Sequence, residues 1–325
     1  MVVVRWRQSA SSRPLPMKRA RERVDVMQGL TIEDVTVGIH ASNGILVDYH
    51  NHLERGPFSL DWLRRFVDTA ISRGVAEIGF SEHGHRFKNF APIMEHLGKG
   101  EGAYPAIGQW LSGDFRNDVK DYVELVSRAK ESGLPVKLGV EVDFIPGCEE
   151  AIQKWIADWP WDYVIGSVHF IGKWCFDYRA EMGWPERSVD RAYADYFGVV
   201  SQAAASGLFD IIGHLDVIKV HGHRPADGGA ALRAAREALL KIKEAGCCIE
   251  INTAGWRKPV AEIYPAPELL RLAADLSVPI TFGSDAHEPE EAGYLLTQAV
   301  DLARATGYTR LVRFEDRQFQ EVSIV

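Results

Sequence analysis

From Ile45 onward, short runs rich in Val, Ile and aromatic residues recur along the chain, and they predict seven β-strands. They cover Leu46–His52, Glu77–His83, Val136–Phe144, Tyr163–Phe170, Asp210–Val217, Cys248–Thr253 and Pro279–Asp285. Most are followed by apolar residues at helical spacing. The first such helix starts at the cap candidate Ser59, carries Asp61 in its first turn, repeats Leu63, Phe66, Val67, Ala70 and Ile71, and stops at Gly74. Comparable runs pass through Val119, Tyr122, Val123 and Val126 to Gly133, through Tyr193, Phe197 and Val200 to Gly207, and through Leu232, Ala235 and Leu239 to Gly246. Helices of this length cross back over a sheet, so the strands should run parallel. Seven of them closing on themselves make an α/β barrel one unit short of the usual eight. An open doubly wound sheet would need a phosphate-binding glycine fingerprint, which the chain lacks.

The pattern is broken by polar residues at the strand ends. The first strand ends in Asp48-Tyr49-His50-Asn51-His52, and residues two apart in a strand face the same way, so His50 and His52 can share one cation. An isolated HxH is a weak signal. The later strands, however, deliver His83, Glu141, His169 and His214, then Asp285 with His287. A barrel gathers its C-terminal strand ends at one mouth. A buried imidazole satisfied by a backbone carbonyl accounts for any one of these residues, but poorly for the set. Imidazole and carboxylate ligands without thiolate suit Zn²⁺, Mn²⁺ or Fe, and there are more of them than two ions need. Three divalent metal ions are the expectation.

Composition narrows the class. The 325 residues are 46% hydrophobic and 25% charged, enough for a large core, and the strand count assigns residues 41–325 to one barrel. The formal net charge of −8 has the wrong sign for a general nucleic-acid or anionic-membrane binder. Cys148, Cys175, Cys247 and Cys248 have no CxxC spacing, which favours a reducing cytoplasm, and no apolar run approaches membrane-spanning length. Residues 1–40 differ, with Arg5, Arg7, Arg13, Lys18, Arg19, Arg21 and Arg23 among Ser and Pro. They are expected to form a disordered basic extension, either a tail or the product of an upstream start, since Met17 and Met27 could each begin a shorter chain. The upstream start is preferred.

The motifs in order are HxH, EH (Glu82-His83), GxExD (Gly139 to Asp143), GSVH (Gly166 to His169), GHLD (Gly213 to Asp216) and GSDAH (Gly283 to His287). This series resembles the polymerase-and-histidinol-phosphatase (PHP) superfamily. Asn252-Thr253-Ala254-Gly255 and Tyr264-Pro265-Ala266-Pro267 resemble its histidinol-phosphatase branch. The resemblance implies a distorted (β/α)7 TIM-like barrel with a trinuclear metal site at the C-terminal strand ends. It also implies phosphomonoesterase activity, with L-histidinol phosphate as the small-molecule substrate. By the same resemblance, His50, His52, Glu141 and Asp285 would hold a first ion, and Glu141, His169 and His214 a second. Glu141, Asp285 and His214 would form the catalytic core. A third ion would take His83, His287 and a residue of the loop after the first strand, where family members often carry another histidine. That loop reads Leu53-Glu54-Arg55-Gly56-Pro57, so Glu54 is the substitute on offer, unless it merely pairs with a nearby cation.

A phosphate monoester dianion repels hydroxide, so its hydrolysis needs neutralising charge and a nucleophile available at neutral pH. Two ions about 4 Å apart would meet both needs through a bridging hydroxide. The leaving group could take a proton from His85, His221, His223 or a metal-bound water. No GxSxG or triad competes. Candidate phosphate-binding cations are Arg86, Lys219, Arg224 and Arg257, all in loops that follow strands. Asp143 and Asp216 could orient imidazoles or cap helices. Trp155, Trp159 and Trp161 read as a packed corner, whereas Trp174 and Trp256 are candidates to line the pocket.

Three alternatives stay open: a phosphoesterase for nucleotide or sugar phosphates, a proofreading role like that of polymerase-associated PHP members, and a metal-dependent amidohydrolase. The last would need a bridging modified lysine where this strand carries Glu141, with Lys137 entering from the far end.

Overall fold

Parallel pairing dictates the architecture, and the computed structural model describes it for residues 44–325. The basic extension expected over residues 1–40 lies outside the described residues. Seven strands, β1 (Val47–Asp48), β2 (Glu77–His83), β3 (Val136–Asp143), β4 (Tyr163–Ser167), β7 (Ile211–Ile212), β8 (Cys248–Asn252) and β9 (Ile280–Gly283), form one sheet in that order. Every neighbouring pair in it is parallel. Tyr49 N–H donates to Phe282 O, and His52 N–H to Ala286 O, across the seam between β9 and β1, nearly closing the sheet into a barrel. The fully buried Asp48 carboxylate strengthens the seam by accepting from Ser284 N–H, Ser284 Oγ and Gly293 N–H.

The four helices read from the sequence are present as α1 (Leu60–Ser72), α3 (Val119–Glu131), α4 (Val189–Ala205) and α5 (Gly228–Ala245). Ser59 Oγ caps the first by accepting from Trp62 N–H at 3.2 Å. Between β2 and β3 lies a segment of short helical turns, including α2 (Pro105–Asp114), whose weak periodicity gave no sequence signal. Another addition is an antiparallel pair, β5 (Phe170–Ile171) with β6 (Trp174–Cys175). The expected strands Leu46–His52 and Asp210–Val217 are cut to two residues each. Just beyond β7 and β9, His214 and Asp285 take positive φ, at 20° and 52°. No helix among the described residues is long and apolar enough to cross a membrane.

The barrel interior is layered. On β3 the alternate residues Lys137, Gly139, Glu141 and Asp143 share the inward face. At the Gly139 level Tyr163 fills the centre, because a Cβ on Gly79 or Gly139 would collide with its ring or hydroxyl. The Tyr163 hydroxyl donates to Tyr49 O at 2.6 Å. Below this aromatic layer a C-terminal hairpin, β10 (Arg310–Glu315) with β11 (Gln318–Ser323), lies across the N-terminal strand ends. Its Phe314 packs against Tyr49 and Tyr163 at ring-centroid separations of 5.9 and 6.0 Å. Arg313 pairs with Glu77, Glu315 with Lys137, and Arg317 with Asp210.

Truncating Phe314 to Ala should cost about 3–5 kcal/mol, read as a fall in the urea midpoint at unchanged slope. A loss below about 1 kcal/mol would mean that the hairpin does not close the barrel.

Candidate metal centre

Glu141, 2% exposed, rises from β3, the third of the seven strands, with a cluster of imidazoles on each oxygen. On the Oε2 side are His83 Nδ1 at 2.6 Å, His50 Nε2 at 3.5 Å and His52 Nε2 at 3.8 Å. Asp285 Oδ1 completes that cage, 3.4 Å from His52 Nε2 and 4.0 Å from His50 Nε2. On the Oε1 side are His214 Nε2 at 3.0 Å and His169 Nε2 at 3.8 Å, themselves 3.3 Å apart. A cation with bonds of about 2.1 Å sets its ligands about 3–3.5 Å apart, close to these spacings. The donor set fits such an ion on a second count. His50 Nε2 and both nitrogens of His52 are buried without a hydrogen-bond partner among the described residues. Each would cost about 1–3 kcal/mol if left so. Burial pushes the Glu141 carboxyl up, but the imidazoles of His50, His83 and His214 outweigh it and hold the group well below the usual carboxylate range.

A third convergence joins His52, His83 and His287. The His83 ring stacks on His52 at 3.9 Å, and His287 lies 4.5 Å from His52 on another side. Glu54 sits beside it, with Oε1 3.6 Å from His287 Nε2. Burial would raise the Glu54 carboxyl, yet His83, His287, His52 and Arg86 hold it down at about 2. It is therefore a carboxylate available to a cation.

Buried carboxylates fix how these imidazoles point. Asp143 Oδ1 lies 2.8 Å from His169 Nδ1, leaving Nε2 to face Glu141. Asp216 instead pairs with Lys219 and accepts from Ala266 N–H, so it orients no imidazole. The sequence reading missed Glu250 on β8. Its Oε1 is 2.8 Å from His50 Nδ1, and its Oε2 accepts from His214 N–H at 2.9 Å and from Asn252 Nδ2 at 3.0 Å. One carboxylate thus steers a ligand of each cage. Gly283 is required beside it, since a Cβ there would meet Glu250 and His50. The available signal was a lone acid within the apolar strand Cys248–Asn252.

The cluster floors a cavity of about 600 Å³. Of the four cations expected to bind phosphate, Arg86 lines it and three do not. Lys219 is 1% exposed, with its amine committed to Asp216, Glu262 and Ile263 O. Arg224 pairs with the same Glu262. Arg257 donates to the Ser284 and Asp285 carbonyls at 2.9 and 3.0 Å, bracing the turn that presents Asp285. The cations on the wall that the sequence reading did not single out are Arg55, Arg116 and Lys258. His85 and His221 line the cavity too, whereas His223 stacks on Trp184 outside it. Trp155 and Trp161 stack in the core as the corner reading expected. Trp110 lines the cavity, and Trp174 and Trp256 do not.

Residues 48–254 match the PHP domain family. A probable histidinol-phosphatase of Deinococcus radiodurans is 36% identical over 284 residues, spanning 85% of this chain and 98% of the relative. The chain belongs to the PHP family. A histidinol-phosphatase of Bacillus subtilis is 27% identical and aligns with 76% of this chain and 95% of itself. In three dimensions the barrel is similar to histidinol phosphate phosphatase from Lactococcus lactis, solved with zinc, L-histidinol and phosphate. The TM-score is 0.64 at 22% identity, over 85% of this chain and 98% of that one. The putative histidinol phosphatase of Listeria monocytogenes gives 0.63 at 23% identity, over 78% and 99%. The likeness in fold covers nearly the whole length of both solved proteins.

If Glu250 steers His50 and His214 as the geometry indicates, Glu250→Gln should weaken metal retention by about 10–100-fold, measured by competition with a chromophoric chelator. Unchanged affinity would remove Glu250 from the centre.

Proposed function

We propose that the chain is a metal-dependent phosphomonoesterase that hydrolyses L-histidinol phosphate to L-histidinol and phosphate. The observation that carries this reading is Glu141, divided between two ligand cages on the floor of an open cavity. The histidinol-phosphatase names of the relatives support the choice of substrate. In this reading His50, His52, Glu141 and Asp285 hold one ion, and Glu141, His169 and His214 a second. His83, His287 and Glu54 hold a third. Zinc, manganese and iron all suit the donor set.

Such ions supply positive charge for the phosphoryl oxygens and lower the pKa of water. The protein contributes the remaining charge and the shape. Arg86 presents a guanidinium from the wall beside the third cluster, suited to phosphoryl oxygens. Asp177, Tyr178 and Trp110 offer a carboxylate and aromatic faces to the ammonium and imidazole of the amino alcohol. Burial disfavours charge on His85, but the flanking Asp114 and Asp143 prevail and raise it to about 9, so a cationic imidazole stands on that wall at neutral pH. The amidohydrolase alternative loses its key residue. Lys137 is held by Glu77 and Glu315 below the Tyr163 layer, and the bridging position belongs to Glu141.

Purified protein is expected to carry close to three divalent ions per chain by elemental analysis and to release phosphate from L-histidinol phosphate. Glu141→Ala should abolish both metal retention and turnover. Full activity in metal-free protein would overturn the mechanism. A panel of phosphoesters in which a nucleotide or sugar phosphate is preferred by orders of magnitude would overturn the substrate alone.

A further inference from the structure

The loop after β2 holds a buried cation at the edge of the metal cluster. Arg86 is 5% exposed, and its Nε has no hydrogen-bond partner among the described residues. That Nε lies 3.9 Å from Glu54 Oε2, while the other oxygen of Glu54 faces His287 Nε2 at 3.6 Å. Glu54 therefore stands between a guanidinium and the third imidazole cluster. A guanidinium keeps its charge at any physiological pH, so a dication bound to Glu54 and His287 has a permanent cation as its neighbour. Unless something neutralises Arg86, the two compete for one carboxylate.

Asp114 supplies that neutralisation. It ends α2, in the inserted segment between β2 and β3, and is 7% exposed. Its Oδ1 accepts from Arg86 Nη1, and its Oδ2 lies 3.3 Å from His85 Nε2. His85 Nδ1 in turn is 3.4 Å from Asp143 Oδ2, the other oxygen of which holds His169. Glu54, Arg86, Asp114, His85, Asp143 and His169 thus alternate in charge type from the third cluster round to the second.

Resting on the three-ion reading above, we propose that Asp114 is a positioning residue that anchors the Arg86 guanidinium, leaving Glu54 free to serve the third ion. Asp114→Asn keeps the shape and removes the charge. Arg86 then closes on Glu54, and the third ion is lost first while the two ions that share Glu141 stay.

The test is a metal-binding titration against a chromophoric chelator, using zinc with the full-length chain as wild type, D114N, R86Q and D114N/R86Q. Wild type should show three sites. In D114N the weakest site should weaken by about 10–100-fold with the other two unchanged. In the double variant that site should return to near wild-type affinity, because removing the guanidinium removes the need for its counter-charge. A merely structural role for Asp114 would not be rescued in this way. Wild-type affinity at all three sites in D114N, or a double variant as weak as D114N, would overturn the proposal while leaving the three-ion reading standing. Wild type binding no more than two ions would overturn both. Should thermal unfolding show that D114N does not fold, R86Q decides alone: tighter third-site binding is expected, and weaker binding overturns the inference.

Discussion

A single buried carboxylate facing imidazoles on both of its oxygens is the constraint around which the barrel mouth is built. Glu141 sits on β3 with side chains from strands on either side of it close by, at 3.5 Å for His50 and 3.0 Å for His214. Several nitrogen atoms around it are buried and unpartnered, an arrangement that proteins otherwise avoid. The cost of that arrangement is the physical argument for ions at this place.

Orientation is as tightly specified as position. An imidazole is held facing a cation when its other nitrogen is committed elsewhere, and carboxylates supply that commitment for two of the rings: Glu250 for His50 and Asp143 for His169. The backbone takes part as well. Asp285 and His214 adopt unusual positive φ values, and Arg257 braces the turn around Asp285 through two carbonyls.

The convergence of these side chains was largely legible in the sequence because residues at strand ends are encoded locally: each follows its own apolar run. The seven strands, four helices and the capping by Ser59 needed only periodicity and neighbours. What stayed hidden depended on partners distant in sequence. Lys219 sits in the expected loop, but Asp216 and Glu262 draw its amine into a buried pair, and no local pattern reveals that. Glu250 read as an acid in a strand until His50, two hundred residues earlier, closed on it. The C-terminal hairpin escaped because its turn uses Asp316 and Arg317 at positive φ in place of the usual Asn-Gly, with the Arg317 side chain tied to Asp210.

The Tyr163 layer divides the barrel interior into an ionic floor, where Lys137, Glu77 and Arg313 neutralise one another, and the cluster above. The only lysine on the inward face of β3 is therefore sealed from Glu141 by an aromatic ring and cannot serve as its counter-charge. A metal counter-charge would have to arrive from solvent, through the opening of the same cavity that the cluster floors. Metal and small molecule would then share one doorway, with an occupant of the cavity standing over the exit of any ion held beneath it.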